Sequence, residues 1–334
     1  MTPSCTVIIC TRDRAHELES CLTAVTQLSY PRFSVLVVDS ASRGDATRDM
    51  AQRFNVGYLR LAAPGLSYAR NQGARASSSE FVAYLDDDAV PCPGWLSALL
   101  SGFSEACVDA VTGRIMPLRV ESEAEQMSAS TDRFLRRNDR VIFDRSLPNW
   151  FEVASFGDIG RGGNMAFRRS VFDSWNGFDE RLGRGAPLVG GEELYAFSQL
   201  ISGGSAIVYV PTAIVRHPYP ASIKDLRSRR YQSIQSAAAY FAMLIAEERK
   251  HWPELWRVIS NGFSKRLGNR IDPQERPFRS VLGRWMTVRA IAAGVFKYAS
   301  VKIAQRFRRY PASFLNPSAE NPPTGEHTPG SGNR

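Results

Sequence analysis

Phe81-Val82-Ala83-Tyr84-Leu85-Asp86-Asp87-Asp88 is the stretch on which the reading of this chain turns. Five apolar residues run directly into three carboxylates, the pattern of a buried strand that delivers acids to its carboxyl end. Open α/β sheets hold their ligands at that end. Adjacent negative charges repel one another, so a fold normally avoids them unless a cation is shared. Hard carboxylate oxygens suit Mg2+ or Mn2+, ions that bridge to phosphate. Taken alone, an aspartate run is more often a solvated, helix-capping turn, and its surroundings decide between the two.

Working outward, Cys5-Thr6-Val7-Ile8-Ile9-Cys10, Phe33-Ser34-Val35-Leu36-Val37-Val38 and Val56-Gly57-Tyr58-Leu59 read as three further short buried strands. Leu18, Leu22, Val25 and Leu28 share one face of a helix over residues 17–28, stopped by Tyr30-Pro31. Strand and helix alternation predicts a mostly parallel sheet with right-handed crossovers. Each strand ends in polar residues: Thr11-Arg12-Asp13-Arg14, Asp39-Ser40-Ala41-Ser42, Pro64-Gly65-Leu66-Ser67, and then the triplet. Asp39 is placed either to accept a hydrogen bond from a base or ribose or to cap the turn that follows. Ser67 is expected to cap a helix carrying Arg70 and Asn71. Arg70 matches a diphosphate in charge or braces one of the acids. No GxGxxG follows the first strand and no Walker loop occurs, which excludes the two commonest Gly-rich phosphate cradles.

A chain of 334 residues with 43% hydrophobic content is a globular protein, with one large core or two modest ones. Cys5, Cys10, Cys21, Cys92 and Cys107 are odd in number and form no CxxC pair, so free thiols and a reducing cytoplasm are expected. Met1-Thr2-Pro3-Ser4 leads straight into a strand, so no signal peptide is expected. Nor does any apolar run approach the roughly 20 residues that span a bilayer.

Val7-Ile8-Ile9-Cys10-Thr11-Arg12, Val37-Val38-Asp39-Ser40-Ala41-Ser42, Gly65-Leu66-Ser67-Tyr68-Ala69-Arg70-Asn71-Gln72-Gly73 and Tyr84-Leu85-Asp86-Asp87-Asp88, in that order and spacing, resemble the nucleotide-sugar half of family 2 glycosyltransferases. The likeness covers residues 1–222, with a donor half at 1–115 and an acceptor half at 116–222. It implies an α/β GT-A fold, a Rossmann-like mixed sheet flanked by helices. It also implies a nucleotide-diphosphate sugar donor, most commonly a UDP-sugar, a divalent Mg2+ or Mn2+, and hexosyl or pentosyl transfer with inversion. By resemblance Thr11, Arg12, Asp39, Arg70, Asp86, Asp87, Gly163 and Asn164 line the donor site. Asp88, Asp86 and His217 hold the metal.

The segment Gly160-Arg161-Gly162-Gly163-Asn164 resembles the one that runs beneath the donor sugar. Where the family has a Glu-Asp pair opening a helix, this chain has Glu192-Glu193, one methylene longer at the second acid. Either carboxylate serves as general base if burial raises its pKa. The family register favours Glu193, Glu192 stays open, and both would also favour a helix amino terminus through its dipole.

Past residue 222 the likeness fades. Residues 223–310 carry 19 Lys and Arg against 6 Asp and Glu, an excess of 13, so the chain's net charge of +9 originates in this region. Tyr231, Ile234, Ala238, Phe241 and Ile245 form one helical stripe and Val288, Ile291, Val295 and Tyr298 another, the second flanked by Arg284, Arg289, Lys297 and Lys302. Basic amphipathic helices either lie on anionic membranes, here the inner face, or pack on the catalytic domain. The Pro- and Gly-rich residues 311–334 are expected to be disordered. Two other classes compete with the transferase. A non-catalytic sugar- or nucleotide-binding module would have lost the acids at 192 and 193. A basic nucleic-acid-binding protein would show a recognisable motif or an aromatic stacking strip, and the chain has neither. The acceptor, whether glycan, lipid-linked, peptide or small natural product, is not legible.

Overall fold

Strands and helices alternate through the first hundred residues as the hydrophobic pattern predicts. In this computed structural model residues 2–157, 159–267 and 281–306 are described. The tail at 311–334, expected to be disordered, lies outside them. The strands are β1 (Cys5–Thr11), β2 (Phe33–Asp39), β3 (Gly57–Arg60), β4 (Phe81–Asp86), β5 (Val90–Pro91), β6 (Val108–Pro117), β7 (Val141–Phe143), β8 (Asn164–Arg168) and β9 (Ala206–His217). The helices are α1 (Ala15–Val25), α2 (Ala46–Arg53), α3 (Leu66–Ala76), α4 (Trp95–Leu100), α5 (Glu123–Thr131), α6 (Trp150–Ser155), α7 (Val171–Ser174), α8 (Glu192–Ser202), α9 (Ile223–Glu247), α10 (Trp252–Leu267) and α11 (Arg284–Arg306). α1 ends three residues before Leu28, which is buried beneath the turn that leads to β2.

The strands form one sheet in the order β3-β2-β1-β4-β8-β6-β9-β5, with β7 beside β9. β3, β2, β1 and β4 are parallel, whereas β8 runs antiparallel to both neighbours. The sheet is therefore mixed. Period-2 alternation assigns its two faces: Val7, Ile9, Ala83 and Leu85 belong to one apolar cluster, and Ile8, Val82 and Tyr84 to the other. Burial on both faces explains why β1 and β4 read as continuous apolar runs rather than alternating ones.

Register brings the chemistry together. Thr11 pairs with Asp39, Cys10 with Asp86 and Leu85 with Asn164, so the ends of β1, β2 and β4 and the first residue of β8 meet at one edge. β9 continues well past the expected Ala206–Val210 segment. A register shift against β6 at Gly113/Arg114 re-aims it and lets it run on to His217, opposite Pro117.

α9 to α11 are not a separate layer. Ala239, Tyr240, Met243 and Leu244 of α9 and Tyr298 and Val301 of α11 share a third apolar cluster with Phe151, Leu182 and Leu188. α11 follows α9 in the same direction, because Val281 accepts from Arg227, Gly294 abuts Gln235 and Ala238, and Tyr298 reaches Glu247.

Candidate functional site

At the carboxyl edge of the sheet the triplet divides its tasks. Asp86, the last residue of β4, stays partly open to solvent, while Asp87 turns inward, 6% exposed. Thr11 donates to Asp87 Oδ2 at 2.7 Å, and Arg14 contacts its Oδ1 at 3.1 Å. Burial raises the Asp87 carboxyl to about 6 against the opposing pull of Thr11 and Arg14. Arg14 also donates to Asp88 Oδ2 at 2.7 Å, so one guanidinium spans both acids. His217 Nε2 lies 2.9 Å from Asp88 Oδ1 and 3.9 Å from Asp86 Oδ2. Burial opposes charge on both Asp88 and His217, but their mutual hydrogen bond outweighs it. The Asp88 carboxyl is held well below its usual range and the imidazole is raised.

Asp86, Asp88 and His217, the three residues named as metal ligands, present one donor atom each within 4.8 Å of one another. The set fits a divalent ion. His217 Nδ1 lies 2.9 Å from the carbonyl of Pro218, and a proton held there would let Nε2 exchange its own proton for an ion shared with the two carboxylates. Two oxygens and one imidazole nitrogen suit Mn2+ or Mg2+ better than a soft metal.

The backbone opposite Asp86 has to be bare. A Cβ on Gly163 would lie 2.7 Å from Asp86 Cγ and closer still to Oδ2. Gly163→Ala is therefore expected to push that carboxylate aside and weaken Mn2+ binding to the free protein at least ~10-fold, read by calorimetry, with little change in melting temperature. Unchanged Mn2+ affinity would remove Asp86 from the ligand set.

The remaining residues named from the sequence divide between site and scaffold. Asp39 is fully buried; its Oδ1 accepts from Ser42 N at 2.8 Å and its Oδ2 from the Tyr58 hydroxyl at 2.7 Å. It thus caps its turn, and a base would have to share or displace Tyr58. Arg12 points to solvent beside Asp13, away from the carboxylates. Arg14, two residues on, occupies the place where a site cation was expected. Asn164 is fully buried and saturated: it accepts from Trp95 Nε1 and donates to the carbonyls of Arg114 and Ala213. With these bonds it braces β8 against β6 and β9.

Helix α3 serves the opposite wall. Ser67 does not cap it; Gly65 stands at its start and the Ser67 hydroxyl donates to Leu182 O. Asn71 exchanges hydrogen bonds with the Phe178 backbone and reaches Glu180. Arg70, 3% exposed, lies against the Tyr84 and Phe178 rings, donates to Gly162 O, and pairs with Glu192 Oε1 at 3.0 Å. It braces neither Asp39 nor Asp86 but the first acid of α8. Glu192 Oε2 is buried with no partner among the described residues.

Gly191, in a left-handed conformation at φ 86°, starts α8 and puts Glu192 and Glu193 in its first turn. Neighbouring helical side chains diverge by about 100°. Glu192 turns to Arg70, while Glu193 is half-buried and feels the charge of Asp86. Burial, then the Glu192 charge, raises the Glu193 carboxyl to about 7. Arg14 and Tyr58 are the site residues missed from sequence. Arg14 had a signal, a cation three positions past a strand end that faces an acidic cluster; Tyr58 had none.

Comparison with known proteins places this geometry in context. The profile of "Glycosyl transferase family 2" matches residues 6–175, half of the chain. A pre-mycofactocin glycosyltransferase of Mycobacterium tuberculosis is 29% identical over 233 residues, covering 67% of this chain and 45% of the relative, so the chain spans about half that protein's length. The succinoglycan biosynthesis protein ExoM of Rhizobium meliloti is 27% identical over 268 residues, 76% of this chain and 79% of ExoM. Among solved structures, the mannosyltransferase PcManGT from Pyrobaculum calidifontis, in complex with GDP-Man and Mn2+, superposes with a TM-score of 0.58 at 19% identity, over 90% of this chain and 88% of that one. The shared architecture is the GT-A fold.

Proposed function

Because the chain belongs to glycosyl transferase family 2, we propose that it transfers a sugar from a nucleotide-diphosphate sugar to an acceptor nucleophile with inversion, Glu193 removing the acceptor proton. The observation that carries this reading is the nearness of the Asp86, Asp88 and His217 donor set to Glu193, which feels the Asp86 charge and whose carboxyl burial raises to about 7. The first fits a diphosphate-bound cation and the second a general base near neutral pH.

Asp86, Asp88 and His217 would hold Mg2+ or Mn2+, which supplies Lewis-acid neutralisation of the departing diphosphate. Thr11 and Arg14 fix Asp87 and Asp88 so that the ligand atoms converge before a ligand arrives. Arg70 holds Glu192 and the Gly162 carbonyl, and so ties α3 to the start of α8 and to the glycine segment before β8. Asp39 and Tyr58 are the side chains offered to the nucleoside, with uracil the base proposed. Glu193 accepts the proton of the attacking hydroxyl on the face opposite the leaving group. Free thiols throughout support a reducing compartment. No helix among the described residues is long and apolar enough to cross a membrane. Exposed Trp285, Phe296 and Ile303 with Arg284 and Arg289 on α11 support a peripheral membrane contact. Lys302 is not part of that surface charge, since it pairs with Glu247 at 2.7 Å.

Calorimetric titration with UDP, with and without Mn2+, tests the donor side. The parent is expected to bind UDP at least ~10-fold more tightly with Mn2+, and Asp88→Ala to lose that difference while keeping its fold. Metal dependence that survives in Asp88→Ala would remove this residue from the ligand set. A parent protein that binds no nucleotide in either condition would sink the donor reading.

A further inference from the structure

Arg70, the cation that the sequence offers to a diphosphate, is engaged by Glu192 and the Gly162 carbonyl. Arg12, the other basic candidate for the donor site, turns to solvent beside Asp13. Arg14 is taken up within the cluster, where it spans Asp87 and Asp88. With His217 a neutral ligand, the three carboxylates set against Arg14 and a divalent ion sum to zero formal charge. A nucleoside diphosphate brings further negative charge to a partly buried place, where an unmatched anion is costly. Its cations have to come from outside the strand ends.

Arg229 of α9 and Arg184 of the loop before α8 answer that need. Both side chains are exposed, and among the described residues neither guanidinium meets a carboxylate in an ion pair. The charged groups that Arg229 feels are, in falling order, Arg184, Asp88, Arg14 and Asp225, so it lies close both to another cation and to the acidic cluster. Arg184 is held there by its backbone. Its carbonyl accepts from Leu66 N at 2.8 Å, and Gly185, left-handed at φ 80°, abuts Gly65, whose own N–H donates to Ser40 Oγ at 2.9 Å beside Asp39. Arg229 also lines a cavity of about 410 Å3 with Arg161 and Tyr219, which stand two residues before Gly163 and two after His217. Asp132 neutralises only that wall: it pairs with Arg161 at 2.9 Å and accepts from the Tyr219 hydroxyl at 2.8 Å. Two neighbouring guanidinium groups repel one another, and an anion bound by both turns that cost into attraction. Their forks match phosphate oxygens in geometry as well as in charge.

We infer that Arg229 and Arg184 clamp the donor diphosphate and so take the part that Arg70 does not. The inference rests on the transferase reading above and names the side chains that meet the donor's charge. Donor recognition then reaches past residue 222 through α9, although the family profile ends at residue 175.

The test uses the full chain, with Mn2+ titrated alone and UDP and uridine then titrated at saturating Mn2+. The parent is expected to prefer UDP to uridine, and Arg229→Ala should narrow that preference at least ~10-fold by weakening UDP alone. Arg229→Lys should recover only part of it, since an ammonium is a point charge without the fork. Arg184→Ala should act in the same direction, and an unchanged melting curve checks the fold of each variant. Mn2+ affinity of the nucleotide-free variants should not fall, because removing a cation near Asp88 does not loosen another cation held there. The inference is overturned if Arg229→Ala binds UDP like the parent, if uridine weakens as much as UDP, or if Mn2+ alone binds less tightly, which would make Arg229 a brace of the carboxylates. A parent that binds no UDP in the presence of Mn2+ would sink the donor reading itself, and this inference with it.

Discussion

Replacing Glu193 with glutamine is expected to lower turnover by at least ~10²-fold while donor affinity stays near that of the parent. Glutamine keeps the size and the hydrogen bonding of the side chain and removes only its basicity. Because the Glu193 carboxyl is raised to about 7, mainly by burial, the parent should gain activity as pH rises through that value, where the carboxyl becomes ionised. The residual activity of Glu193→Gln should lack that rise. A pH profile of turnover for both proteins checks the assignment. If Glu192→Gln abolishes turnover and Glu193→Gln spares it, the base is the neighbouring acid; if neither changes it, the base lies outside α8.

Arg70→Ala should cost about 3–5 kcal/mol of stability, measured by denaturant unfolding, because it leaves Glu192 charged, buried and without its partner. Arg70→Met with Glu192→Leu should recover most of that loss, since replacing both members by apolar groups avoids the unpaired charge. The comparison separates two roles for the same arginine. A diphosphate ligand would lose nucleotide affinity and little stability. A brace, which the contacts to Glu192 and Gly162 describe, loses stability first.

The parallel half of the sheet and the acidic edge were legible because both are written in local pattern. Runs such as Val7–Ile9 and Val82–Leu85 are buried on two faces, so they show as uninterrupted apolar segments, and whatever follows them is at the edge. His217 could be named with Asp86 and Asp88 only by family likeness, since no periodicity reveals a register shift that carries β9 seven residues past Val210. The antiparallel insertion of β8 was invisible for the same reason: strand direction depends on the partner and not on the strand's own residues. Asn164 and Arg70 show a different limit. Both are polar residues in motif positions, and sequence does not tell whether a polar side chain turns to a ligand or to the backbone of a neighbour. Asn164 is consumed by Trp95, Arg114 and Ala213, and Arg70 by Glu192.

Glu247 links regions that the charge step at residue 222 invites one to separate. At the end of α9 it accepts from Arg181, from the Tyr298 hydroxyl at 2.9 Å and from Lys302, and these partners hold its carboxyl down to about 2 although burial works the other way. Arg181 lies in the loop that precedes α8, and Tyr298 and Lys302 belong to α11. Mechanically this is a three-way joint, so a load on α11 passes through one carboxylate to the segment that aims Glu193. A gene shortened to end at residue 222 would strand Arg181 without this acid and turn Leu182, Leu188 and Phe151 toward water, and its product is expected to collect in inclusion bodies. An affinity handle or surface tether therefore belongs at the amino-terminal side.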